Sequence, residues 1–204
     1  MDASSKFKNS LPTKPEILFQ KFKDLGIFYS IFQHPPLFTV GDAKMHQANM
    51  TGLHVKNLFL RDKKKRNFLL VVEQDTEIDL KTLHKKISSG RLSFGSQERL
   101  WQFLGVRPGA VSPFALINDT AKSVRLLFQD ILYTEHNIHF HPLVNDLKYR
   151  PVPPTSIGIL FFFLISLIFF NVSFCHCPVE KFFLTFKKPY KWCFTILRSF
   201  SVGL

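Results

Sequence analysis

His54, Lys56 and Asn57 stand together in "GLHVKNLFLRDKKKRN" (52–67), just where an alternating polar and apolar pattern begins. A lysine at the end of a sheet, with an asparagine beside it, can reach a phosphate as a compact point charge. Composition alone favours the other reading, a solvated lysine at a strand edge, because charged side chains are mostly exposed. The spacing leaves both open.

A second candidate is the loop "GAVSP", with Gly109, Ala110, Val111, Ser112 and Pro113. Glycine lets a backbone approach a ligand closely, and proline stiffens the far end. N–H groups exposed in such a loop could bind a carbonyl oxygen or an oxyanion. An ordinary turn explains the same letters. In "EHNIHFHP", His139 and His141 share a strand face at i, i+2. Two histidines with no cysteine or carboxylate at ligand spacing make a weak metal signal, so a structural or substrate-contacting histidine is the better reading. "KKKR" (63–66) reads as a solvated hairpin tip that adds salt-dependent attraction for RNA phosphates. No serine–histidine–acid triad, phosphate-binding glycine loop, glycosidase carboxylate pair or CxxC motif stands out.

The elements that must position these residues follow from periodicity. "LPTKPEILFQKFKDLGI" predicts a helix, with Thr13 and Glu16 at capping-box spacing and Gly26 as its stop. "YSIFQH" predicts a short strand, and "TVGDAKMHQ" a short helix. "NLFLRD" and "NFLLVV" flank "KKKR" as a β-hairpin. "IDLKTLHKKI" is amphipathic, and "SQERLWQFLG" runs from a Ser96 cap to Gly105. "FALIN", the turn "DTAKS" and "VRLLFQD" predict a second hairpin, and "NIHFH" a last strand. Interspersed strands and helices with antiparallel hairpins predict an α+β domain with helices packed on a curved sheet.

The 204 residues carry a net charge of +12, which suits nucleic acid or an anionic membrane surface as partner. "MDASSKFKNS" shows no apolar leader, and all three cysteines, Cys175, Cys177 and Cys193, fall after residue 150. Matches to the glycosylation pattern at Asn49, Asn118 and Asn171 then read as chance, and the expected location is cytoplasmic.

Four blocks in register, "HPPLFT", "GLHVKNLFLRDKK", "LWQFLGVRPGAVSPFALIND" and "FHPLVN", resemble the YbaK-type aminoacyl-tRNA editing family over residues 12–146. The branch that the blocks resemble most is the free-standing deacylases associated with prolyl-tRNA synthetase. The resemblance implies an α+β fold on a mixed, barrel-like sheet. It implies hydrolysis of mischarged tRNA for proline, with alanyl-tRNA as substrate and no metal or cofactor. The tRNA acceptor end, and prolyl-tRNA synthetase itself, are the partners it suggests. A non-catalytic binding module for tRNA or the synthetase is the alternative. The resemblance puts Lys56 near the terminal phosphate with Asn57 adjacent. Gly109 and Pro113 bound the loop that orients the aminoacyl carbonyl, and His141 is the histidine of the "FHP" block. It also implies that the terminal adenosine's 2′-hydroxyl and a positioned water supply much of the chemistry. Val55 departs from the family pattern, where a small polar residue is expected, as does the weakly acidic "GDAKMHQANMT".

After residue 146 nothing matches. Residues 147–156 read as a proline-rich junction and 157–204 as a hydrophobic, Phe-rich tail. "IGILFFFLISLIFF" extends to an uncharged stretch, 157–174, at about the lower length limit for a bilayer span. Three readings compete: a membrane anchor, an alternative C-terminus without an evolved role that could leave the form inactive, and a buried replacement for the family's closing helix.

Overall fold

The computed structural model describes residues 9–35, 50–133 and 137–151. The helix expected over 39–47 and the tail from residue 152 onward lie outside them. Among the described residues no helix is long and apolar enough to cross a membrane.

Helix α1 (Pro15–Asp24) starts at a proline, whose fixed φ and missing N–H suit a first turn. The expected capping box does not form. Lys14 occupies the cap without a side-chain bond, and the Thr13 hydroxyl donates instead to Asn118 Oδ1 at 2.8 Å. Strand β1 (Tyr29–Gln33) follows. Strands β2 (Leu53–Asp62) and β3 (Asn67–Glu73) form the expected antiparallel hairpin, with Arg61 opposite Asn67. Only Lys63, Lys64 and Lys65 make its exposed tip. Arg66 folds back on buried Asp62, with its Nε 2.8 Å and its terminal nitrogen 2.7 Å from Oδ2.

Helix α2 (Leu80–Lys86) is capped by Asp79, which accepts from the Lys81 N–H at 2.8 Å. Helix α3 (Gln97–Leu104) follows short strand β4 (Leu92–Phe94). It runs from the Ser96 cap to Gly105, whose φ of 60° is the left-handed ending glycine favours.

The second hairpin does not exist. Residues Pro113–Asn118 form a 3-10 helix, and strand β5 (Val124–Phe128) pairs with β3 in parallel. A second short 3-10 turn, Asp130–Tyr133, leads toward β6 (Ile138–His139), which is parallel to the start of β2. Strand β7 (Leu147–Pro151) pairs antiparallel with β1. The domain therefore runs on through Pro151, five residues past the boundary drawn at 146. Prolines at 151, 153 and 154 suggest a junction, but backbone pairing with β1 holds 147–151 in a two-stranded sheet.

The mixed sheet has the order β4-β2-β3-β5. Strand β2 is long enough to serve two further partners, β4 at Leu60–Asp62 and β6 at Leu53–His54. A bridge between Phe140 and Tyr149 links β6 to β7. The sheet has a core on each face. Phe59, Leu69 and Val71 join the larger one, under α1 and α3. Leu60, Phe68, Leu70 and Val72 join the smaller one, under Leu83 and Ile87. Rings of Phe22, Phe114, Phe140 and Tyr149 interlock at the centre, with centroids 4.7–5.5 Å apart.

Candidate functional site

Strand alternation settles what lies beside what at the start of β2. Leu53, Val55 and Phe59 belong to the larger core, and Leu58 and Leu60 to the smaller. Asn57, opposite Val71, shares the first face; Lys56, opposite Val72, shares the second with His54. Neighbours in sequence thus serve opposite sides of the strand.

On the first face Asn57 holds the 109–113 loop. Its Nδ2 donates to the Val111 carbonyl at 2.8 Å, across 54 residues. Gly109 sits at φ 90°, and a Cβ there would meet the Asn145 amide nitrogen at 3.3 Å, so both backbone and packing ask for glycine. Asn145, buried in the "FHPLVN" block, is a neighbour that spacing could not reveal. Ser112 is buried and caps the 3-10 helix, accepting from the Phe114 N–H at 3.3 Å, and Pro113 begins that helix. Ala110 is buried too, and its N–H donates to the Arg107 carbonyl. Only Val111 is part-exposed between Ala110 and Pro113. Among the described residues the N–H groups of Val111 and Ser112 have no acceptor. Asn118 steadies the far end: its Nδ2 donates to the Leu104 carbonyl at 2.8 Å while Oδ1 accepts from Thr13. A fixed loop whose part-exposed Val111 has an N–H to spare can receive a developing negative oxygen.

On the second face Lys56 is half-buried, and its ammonium has neither an ion-pair nor a hydrogen-bond partner among the described residues. His54 lies two residues earlier on this face. His54 and His139 stack 4.4 Å apart with rings 10° from parallel. Lys148 Nζ donates to His54 Nδ1 at 3.0 Å. His54 Nε2 faces the Met50 carbonyl and His139 Nε2 the Thr51 carbonyl, at 3.4 and 3.1 Å. Carbonyls only accept, so each Nε2 carries the hydrogen. Burial first, then the charge of Lys148, holds His54 down at about 4; burial also lowers His139 to about 4. His141 lies further along, its Nδ1 donating to the Leu147 carbonyl at 3.1 Å beside the ring of His34. Burial and then Lys148 lower it to about 3. All three rings are neutral near pH 7. The described residues bring together no group of three His, Cys, Asp or Glu that could hold a metal.

The structure therefore joins Asn57 to the loop, whose Gly109 lies against Asn145, and sets Lys56 and His141 on the other side of the sheet, among the histidines. Lys148 escaped the sequence reading because it fell in the supposed junction.

The mixed sheet with helices packed on both faces is the α+β fold expected from the four sequence blocks. Residues 34–152 match the family model of the aminoacyl-tRNA editing domain, and the chain belongs to that family. It is 38% identical over 132 residues to "Prolyl-tRNA editing protein ProX" of Acetoanaerobium sticklandii, spanning 64% of this chain and 80% of that one. It is 37% identical over 126 residues to "Prolyl-tRNA synthetase associated domain-containing protein 1" of Danio rerio, spanning 61% and 68%. Among solved structures, a candidate trans-editing enzyme for prolyl tRNA synthetase superposes with a TM-score of 0.54 at 16% identity, over 76% of this chain and 90% of that one. At that identity the superposition speaks for the fold.

Proposed function

We propose that the domain hydrolyses the ester of tRNA for proline mischarged with alanine, freeing the amino acid and the tRNA. The observation that carries this is the Asn57–Val111 bond, which fixes a loop with an unclaimed N–H against one face of β2. Lys56 stands on the other face, at the β2 edge that β4 and β6 leave unpaired over residues 55–58, where one substrate can reach both. In this reading Lys56 holds the terminal phosphate. The N–H of part-exposed Val111 in the loop receives the carbonyl oxygen. A water oxygen adds to the carbonyl carbon and the loop stabilises the resulting oxyanion. As the tetrahedral intermediate collapses, the bond to the ribose oxygen breaks and that oxygen takes the proton that the attacking water gives up. No side chain is assigned as nucleophile; the rate comes from positioning and charge stabilisation. Family membership and the names of its relatives support the reaction class and tRNA for proline. Alanine follows from the resemblance alone.

The competing reading is a binding module for tRNA or prolyl-tRNA synthetase without catalysis. Deacylation of alanyl-tRNA for proline by the full-length chain, measured beside Lys56→Ala, separates the two. We expect hydrolysis by the native chain and a drop of about 100-fold in the variant, the scale of misplacing a substrate by about an ångström. A native chain that binds the tRNA and leaves the ester intact would instead be the binding module.

A further inference from the structure

Lys148 is 5% exposed and His139 2% exposed, and neither has a use in the reaction above. Lys148 has three N–H donors and spends one on a neutral histidine. It meets no carboxylate among the described residues. A buried cation without a counter-charge is costly, and an apolar residue of the same size would usually serve the fold as well or better. His139 is incomplete in the complementary sense. Its Nε2 carries the hydrogen, so Nδ1 is a lone-pair acceptor, buried and without a donor among the described residues. The pair thus asks for an anionic oxygen and a hydroxyl donor. A ribose-phosphate unit supplies both.

Position narrows the source. His54, which binds Lys148, stands two residues before Lys56 on the same face of β2. Two residues of strand span about 7 Å, the order of the repeat of a sugar-phosphate backbone. His54 and Lys56 are part-exposed, so solvent reaches this face at both. Arg150, two residues after Lys148, adds a second cation there and is held by the Thr51 carbonyl at 3.3 Å. Burial lowers Lys148 only to about 8, so it stays a cation near neutral pH.

We propose that Lys148 and His139, framed by His54, bind the ribose-phosphate unit of the tRNA end next to the one that Lys56 holds. The proposal rests on the editing reading and adds to it a second backbone contact.

The test is binding of an uncharged RNA minihelix bearing the tRNA 3′ end to the full-length chain, across a salt series, with wild type, Lys148→Met, Lys148→Gln and Lys148→Arg. Neutralising Lys148 should weaken binding about tenfold, the scale of one charge-assisted hydrogen bond. It should also flatten the slope of log K against log salt by about 0.7, one single-strand phosphate contact. Lys148→Arg should keep the slope. Lys148→Met should melt no lower than wild type. Lys148→Gln, which can still donate to His54, carries the test if the methionine variant does not fold. Wild-type binding with an unchanged slope in the neutral variants overturns the proposal and leaves the editing reading intact. Stabilisation by inorganic phosphate that the neutral variants lose, without loss of RNA affinity, assigns the site to a free anion and also overturns it. A wild type that does not bind the minihelix removes the editing reading, and the proposal falls with it.

Discussion

The two ends of β2 each lie beside a nearly buried charge, and they treat it differently. Asp62 accepts from the Arg66 backbone N–H, the Arg66 guanidinium and the Gly90 N–H. Burial alone would push its pKa up, but these bonds outweigh it and hold the carboxyl below its usual value. Lys148, at the other end, has only His54 among the described residues. The same strand and comparable burial thus give one end that is electrostatically complete and one that is not. Completeness marks the end that keeps the hairpin and α2 together. Incompleteness marks the end where a ligand has work left to do.

The two ends should come apart with pH. Unfolded histidines bind a proton near 6.5, whereas folded His54 and His139 wait until about 4 and His141 until about 3. Their folded pKa values are lowered, so the neutral rings favour the fold above pH 6.5. That contribution is lost as pH falls from 6.5 toward 4. The slope approaches about 1.4 kcal/mol per pH unit for each histidine, and less for part-exposed His54. Lys148, Arg150 and His34 face the same rings and add repulsion. Asp62, by contrast, keeps its contribution until pH falls below its usual range. Urea unfolding at pH 7 and pH 5 checks this. Equal stability at both would mean the basic end is no less complete than the other.

A smaller effect sharpens the contrast from the acidic side. Asp62→Ala leaves Arg66 and Gly90 without their acceptor and should cost about 2–3 kcal/mol, reduced from the fully buried case because Arg66 is part-exposed. Chemical denaturation reads it, set against the neutral or stabilising result expected for Lys148→Met. The smallest effect concerns the loop. Asn57→Ala removes one hydrogen bond, about 1 kcal/mol of stability. It should lower kcat more than minihelix affinity, because it frees the loop and spares Lys56. Steady-state kinetics beside binding would show that split. An affinity loss alone would place Asn57 with the phosphate instead.

How much of this was legible depended on range. The β2–β3 hairpin and helix α3 with its Ser96 and Gly105 ends were readable because turn and caps lie next to what they end. The parallel pairing of β5 with β3 was not, since "DTAKS" looks like a hairpin turn. In fact Asp119 uses its carboxylate to accept from Ser123 and Val124 and starts the strand toward a partner 57 residues away. Lys56, Asn57 and Gly109 were visible as residue types. That the first two face opposite ways follows from alternation, but needs the strand's true start at Leu53 rather than Asn57. Lys148 was hidden because "LKYR" alternates like any half-exposed edge. Only His54, 94 residues earlier, shows that its polar face is buried. Asn118 matched a glycosylation pattern, yet both ends of its amide are spent inside the domain.

The Thr13–Asn118 bond and the β1–β7 pairing also bear on synthesis. Both join the first forty residues to segments made more than a hundred residues later. Helix α1 and strand β1 therefore leave the ribosome long before their partners exist. Closing so distant a contact is an entropic cost met late in folding. The β2–β3 hairpin can form while the chain is still being made. The N-terminal segment must wait, with Leu18 and Phe22 uncovered, until residue 151 has emerged, and that interval is when a nascent chain is most in need of a chaperone.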